Sequence, residues 1–267
     1  MDGEKLIILP ISNGAAAGMD YEKAIQRGLL ELVERDAFVI SYLNKLQLPK
    51  VDLHSIDVWR IDIIQDISRR YRLEIHVMDM TTDLGIPSFV TLTINRTGIG
   101  PAVLSGLKAG LDPIEAIVGS FTEALHLRCK IRMAYEDDNG RIPETTVEEI
   151  NTSEKRGLWW YSKDKIKLLD FWINQKPEPL RHDFSPEGIV SITHTFEKLG
   201  EKAYYVNLTL PEFSAVGIRV VKVFVPHLQP HYLDEKYRVL GGKRLHEVPI
   251  KLGYKTAGIN SYPHPFL

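Results

Sequence analysis

The sequence predicts an α+β protein, helices packed on mixed or antiparallel β-sheet, and three observations carry that prediction. Apolar residues recur at helical spacing behind two good N-caps, Asp20 and Asp112. Short runs such as Ser88–Ile94 alternate with a period of two. The two capped helices are also copies of one pattern. With 267 residues, 44% of them hydrophobic, the chain can bury a substantial core as one large domain or two tightly joined halves. The division drawn here is a repeat-bearing half, residues 1–135, and a C-terminal half, residues 136–267, which ends in a proline-containing tail.

Charge and cysteine usage exclude several classes. A net charge of −2 gives no global reason to expect nucleic-acid or membrane binding. Cys129 is the single cysteine, so no internal disulfide is available and a reducing cytoplasm is the expected compartment. No basic-then-apolar segment resembles a signal peptide, and no apolar run reaches the roughly 20 residues of a membrane helix.

Residues 5–9 read as a short strand before Pro10. Small residues from Gly14 then lead to Asp20 and a helix with Ala24, Ile25, Leu29, Leu30, Leu32 and Val33 on its apolar positions, running on through Tyr42 until Pro49 stops it. Glu31 and Glu34 stand about one turn apart, with Arg35 beside them. Such a pair is either a solvated acidic face or a divalent-cation site in which metal offsets the repulsion and Arg35 meets a phosphate. Residues 55–71 read as a second helix, 73–78 and 88–94 as strands, and 97–101 as a turn whose two glycines lack the frame of a phosphate cradle.

The repeat lies ninety-two residues on. Gly14, Ala17, Gly18, Asp20, Ala24, Ile25 and Glu31 face Gly106, Ala109, Gly110, Asp112, Ala116, Ile117 and Glu123 without a gap. Glu34 and Arg35 face His126 and Leu127, so the paired carboxylate belongs to the first copy alone. Beyond it, Arg128, Lys130 and Arg132 form a basic cluster, either a phosphate or peptide contact or a solvated helix end. A polar loop follows from Glu136, and then Trp159, Trp160, Phe171 and Trp172 at spacings that suit a helix packing its aromatics inward. Residues 187–199 read as a helix and 203–210 and 218–225 as strands. His227 and His231 flank Pro230 and cannot share a regular helix as zinc ligands; residues 241–244 read as a turn near a phosphate at best; and the tail from Tyr262 cannot be helical.

The run P-I-S-N-G-A-A-A-G-M-D-Y-E-K-A-I-Q-R-G-L-L-E-L-V-E-R-D-A resembles the second ExxER segment of YcaO-domain proteins, ATP-using enzymes that activate backbone amides of peptides. G-L-D-P-I-E-A-I-V-G-S-F-T-E-A-L-H-L-R, V-V-K-V-F-V-P-H-L-Q-P, R-V-L-G-G-K-R-L and the terminal P-H-P-F-L fit in order, and resemble the cyclodehydratase branch that forms azolines, the precursors of thiazoles and oxazoles, in ribosomal peptides. The resemblance implies a YcaO-like fold, ATP and Mg2+ as cofactors, Glu31 and Glu34 as magnesium ligands, and Arg35 as a nucleotide contact. It implies an active-site role for the end of the tail, here Leu267 where related tails end in Pro. His126 stands where many members have Gln, and Glu136 where an Arg is usual. Members carry an earlier S-x-x-x-E-x-x-E-R segment, and nothing upstream of Pro10 holds it, so the chain resembles the C-terminal portion of the domain.

The implied activity is cyclodehydration of Cys, Ser or Thr in a substrate peptide, with thioamide or amidine formation by the same ATP logic as variants. The implied partners are the substrate peptide, a protein that binds its leader, a chain carrying the missing half, and further copies in a homo-oligomer. The alternative from a different class is a non-catalytic YcaO-like module that keeps Glu31, Glu34 and Arg35 as relics.

Overall fold

The computed structural model describes residues 11–182, 188–256 and 258–267, so the strand expected over residues 5–9 lies outside it. The long helix α1, Tyr21–Leu43, is the central element. The Asp20 side chain accepts a hydrogen bond from the Lys23 N–H and caps its start. From Ala37 to Leu43 every residue is buried, because neighbours surround this half of the helix on all sides.

Two sheets flank it, so the fold is α+β as expected. The smaller contains β1 (Ala15–Gly18), β8 (Arg219–Phe224) and β7 (Tyr204–Asn207), antiparallel in the order β1-β8-β7. The larger has the order β5-β4-β3-β2-β6, made of β5 (Val103–Ala109), β4 (Ser88–Ile94), β3 (Glu74–Asp79), β2 (Lys50–Val51) and β6 (Pro177–Glu178). It is mixed, because β2 and β6 run parallel. Helices α2 (Trp59–Tyr71) and α3 (Pro113–Asp137) cover its outer face through Ile61, Ile64, Ile117 and Phe121. The inner face packs Val90, Leu92 and Ile94 against the second half of α1. The first half of α1 packs on Val221 and Val223 of β8 and, through Ile192 and Phe196, on α6, Gly188–Lys198. Among the described residues no helix is long and apolar enough to cross a membrane.

Three expectations change. The period of β4 predicts one wet face, yet all seven of its residues are buried. The threonine face lies under α3, where the Thr91 and Ser120 hydroxyls are 2.7 Å apart, so burial is tolerated because the polar atoms are paired. The small residues before the two helices are strands, β1 and β5, and not merely leads into caps. A Cβ at Gly106 would overlap the Ser120 carbonyl oxygen, and one at Gly14, where φ is +78°, would overlap that of Val223. Close backbone approach selects these glycines. The aromatic cluster does not occupy one helix either. Trp159 ends α4 (Ser153–Trp159), a 3-10 stretch Lys163–Leu169 follows, and Trp172 lies in α5, Asp170–Ile173. Trp160 and Trp172 are fully buried, so the inward packing holds while the single helix does not.

The chain closes with α7 (Pro211–Ala215), α8 (Lys243–Lys251) and a non-helical tail. Tyr42 Oη and Trp160 Nε1 both donate to the Pro263 carbonyl, at 2.9 and 3.1 Å, so the tail threads into the core.

Candidate active site

The two copies of the strand-then-helix repeat meet across a cleft of about 840 Å3, with α1 and α3 as walls and residues of β1 and β5 beside them. Each copy ties its helix to its strand with a glutamate. Glu31 Oε2 accepts from the Gly14 N–H at 2.9 Å, and Glu123 Oε2 accepts from the Leu107 N–H at 2.6 Å. Glu34 crosses between copies, its Oε2 accepting from the Ala109 N–H at 3.1 Å. With each Oε2 held by backbone, the Oε1 atoms of Glu31 and Glu34 are left to the cleft. The Arg35 guanidinium lies 3.5 Å from each of them.

Arg35 stacks over the Phe266 ring, its Cζ 4.1 Å from the centroid. Its Nε and Nη1 are buried and find no hydrogen-bond partner among the described residues. A buried guanidinium with unsatisfied donors is costly unless an acceptor arrives. Burial pushes Glu34 up to about 7, against the pull of Arg35 and with a further upward push from Glu123. Burial raises Glu123 as well, opposed by Arg35 and by its bond to the Leu107 N–H. The cleft thus concentrates hard carboxylate oxygens and unsatisfied cationic donors, with Lys108 on β5 as a further positive charge. That donor set fits a divalent cation and the phosphates it accompanies.

Of the residues singled out from sequence, Glu31, Glu34 and Arg35 come together here, and His126 lines the same cleft. Leu267 does not line it; its side chain packs in an apolar cluster with Leu104, Ile131, Leu158 and Tyr161, and the tail touches Arg35 through Phe266. Glu123, Lys108 and Phe266 were missed. Glu123 was legible as the repeat counterpart of Glu31, whereas Phe266 reaches Arg35 only because the tail enters the core.

Other motifs are absorbed into structure. Arg244 binds Asp36 through two hydrogen bonds, at 2.9 and 2.8 Å, and Asp83 at 2.8 Å, so the turn at 241–244 serves an internal ion-pair network and offers no phosphate contact through that arginine. Arg132 pairs with Glu136 at 2.8 Å, and Arg128 donates to the Pro101 and Ile99 carbonyls. His227 pairs with Glu201, while His231 is buried beside His264, which burial keeps neutral. Among the described residues no three His, Cys, Asp or Glu side chains are arranged to hold a metal ion by themselves.

Comparison with known proteins gives the family and the fold. The family model described as YcaO cyclodehydratase, ATP- and Mg2+-binding, matches residues 1–229, and the chain belongs to that family. An uncharacterized protein of Rhizobium leguminosarum bv. trifolii, from the tfuA 3' region, is 32% identical over 82% of this chain and 52% of its own length. An uncharacterized Methanothermobacter thermautotrophicus protein is 26% identical over 84% of this chain and 57% of its own. The chain therefore spans about half the length of the curated relatives it matches. Among solved structures, a heterocyclase in complex with substrate and cofactor gives a TM-score of 0.74 at 27% identity, covering 96% of this chain and 33% of that one. The heterocyclase TruD gives 0.71 at 26%, covering 100% and 36%. YcaO from Methanopyrus kandleri, bound with AMPPCP and Mg2+, shares the fold at 18% identity, a TM-score of 0.58 and coverage of 86% and 58%.

Proposed function

We propose that this chain supplies one part of an ATP-dependent, YcaO-type cyclodehydratase that converts Cys, Ser or Thr of a ribosomal peptide to azolines. The carrying observation is that Glu31, Glu34 and Arg35 line one cleft, with the Arg35 Nη2 3.5 Å from the Oε1 atom of each glutamate while its Nε and Nη1 find no partner among the described residues. In this reading Glu31 and Glu34 hold Mg2+ and Arg35 binds phosphate oxygens. The Gly14 and Ala109 N–H groups keep the carboxylates oriented, and Phe266 keeps the guanidinium flat beneath the cleft. ATP bound there with Mg2+ supplies the phosphoryl group that makes the former amide oxygen of the substrate a leaving group. The chain's own side chains preorganise charge rather than move protons, and the role that the resemblance gives Leu267 extends here only to ending the segment that delivers Phe266.

Two carboxylates do not complete a magnesium site, and the described residues offer no third ligand in place. We therefore assign the remaining ligands to the part of the YcaO domain that the longer relatives carry. A leader-binding protein, the substrate peptide and self-association complete the expected set of partners. The microcin synthetase McbBCD, which shares the fold at 16% identity, is itself a complex solved with pro-MccB17 bound.

Isothermal titration calorimetry with Mg-ATP tests the reading. Binding is expected when this chain is mixed with a chain carrying the first ExxER segment, and Glu34→Gln, which keeps an acceptor for the Ala109 N–H, should weaken it about 10- to 100-fold. Absence of nucleotide affinity in the mixture overturns the enzyme. That result would leave the second reading, a non-catalytic module, which draws on the observation that all three glutamates also pin backbone amides in or just before the strands and so have structural work.

A further inference from the structure

A second cavity, of about 590 Å3, lies where the end of α2, the turn between β4 and β5 and the second half of α3 meet, and it shares no lining residue with the Glu31–Arg35 cleft. Four of its lining residues are arginines, Arg70, Arg72, Arg128 and Arg132, and none is acidic. Arg128 donates to the Pro101 and Ile99 carbonyls at 3.2 and 3.3 Å, bonds that orient a guanidinium and leave its charge uncompensated. Gly100 admits it. With φ at +86°, a Cβ there would stand 2.9 Å from Arg128 Nη2. Burial, opposed by Tyr161 and joined by the repulsion of Arg132, holds Arg128 below the usual arginine range.

The other three arginines reach solvent. Arg132 meets Glu136 at 2.8 Å, and Arg70 lies 3.9 Å from an Asp66 that Arg69 approaches at 3.6 Å; all of these side chains are more than half exposed, so water and salt screen the contacts. Arg72 forms no ion pair among the described residues. It caps α2 at φ +53°, a left-handed position that glycine usually takes, so a cation stands where the backbone favours no side chain. The negative end of the α2 dipole accounts for cations at Arg70 and Arg72, and not for Arg128 and Arg132 across the same cavity. Between the cations the wall is apolar: Leu73 and Leu125 line it, with Tyr71 and Ile99 exposed at 59% and 78%. Apolar walls with a few fixed charges around a cavity of this size are the form of a small-molecule site. Guanidinium forks match phosphate oxygens in pairs, and an aromatic ring offers its face to a planar group.

We propose that this cavity binds a small phosphate-bearing organic anion of the nucleotide class, its phosphates held by Arg70, Arg72, Arg128 and Arg132 and its planar body laid against Tyr71 and the two leucines, at a site separate from the Glu31–Arg35 cleft. Cys129, the single cysteine of the chain, is exposed and lines the cavity, so its alkylation reports on this place alone. The test treats the 267-residue chain with iodoacetamide in the absence of Mg2+ and follows modified Cys129 by mass spectrometry. Saturating ADP, covering the thiol, should slow alkylation about 10-fold. Adenosine should leave the rate unchanged, and pyrophosphate should protect only at higher concentration than ADP. Arg72→Gly suits the left-handed backbone; combined with Arg70→Ala it should raise the ADP concentration for half-protection about 10-fold and leave the melting temperature unchanged. Glu34→Gln, in the other cleft, should leave protection as it was. Absence of protection by ADP, equal protection by adenosine or by pyrophosphate, or protection that survives the paired arginine change overturns the site. Protection that Glu34→Gln abolishes belongs to the Glu31–Arg35 cleft and overturns it as well.

Discussion

The two sheets begin from the same unit, a strand packed tightly on the helix that follows it, and end in different surroundings. β5 leads into α3 and lies beside β4, which is covered on both faces by α1 and α3. β1 leads into α1 and lies beside β8, which among the described residues is packed on α1 by one face and leaves Phe224 of the other exposed. The difference shows that the repeat specifies local geometry, a capped helix with a glutamate tied to a strand amide, and leaves the next layer to the context. In both copies the glutamate ties helix to backbone and lines the shared cleft; the first copy adds Glu34 and Arg35 to it.

The largest test attacks the close approach that both copies share. Gly106→Val drives a side chain into the Ser120 carbonyl and the Ala124 N–H, and should cost more than about 4 kcal/mol or abolish folding, read by soluble yield and urea midpoint. A sharper contrast sets the sheets side by side. Leu92→Ala in the covered sheet should cost about 3 kcal/mol, while Val206→Ala in the open one should stay within about 0.5 kcal/mol; equal losses would mean that the face is already covered in the free chain.

The third test uses pH. Burial, aided by the Lys50 charge, holds His76 of β3 down at about 4 from the usual 6.5, so the folded state keeps it neutral while the unfolded chain protonates first. Stability from this group is therefore present above about pH 6.5 and lost as pH falls toward about 4, by up to about 3 kcal/mol. Denaturation midpoints of the parent and of His76→Gln should converge as pH drops through that window, and parallel curves would reject the assignment. Smallest is Thr91→Val, which removes the bond to the Ser120 hydroxyl. Ser120 keeps its 2.9 Å bond to the Ile117 carbonyl, so the loss should be about 1 kcal/mol by thermal denaturation.

Much of the helical structure was legible in advance because it is local. Asp20 and Asp112 bond amides two or three residues on, and Pro113 suits a first helical turn, so α1 and α3 start where their caps stand. β4 was legible in its bounds but not in its burial. β1 and β5 were missed, since Ala-Ala-Ala-Gly carries no period-two apolar signal and its small size answers to a backbone far away in sequence. At the site, Glu31, Glu34 and Arg35 could be found because one helix turn sets their spacing. Glu123 could be read from the repeat as the counterpart of Glu31, whereas Lys108 and Phe266 join them only by packing.

Sequence alone therefore determined what short range decides: the caps, the helix periods, the repeat and the carboxylate pair one turn apart. Tertiary structure decided which faces are dry, which glutamate is pushed toward neutrality, and which arginine is left with unsatisfied donors. Arg244 and Arg35 look alike in the sequence, yet Asp36 and Asp83 consume the donors of one, while the other faces a cleft. Burial and partnership depend on the layers assembled around a side chain, and those layers come from segments that no local pattern connects.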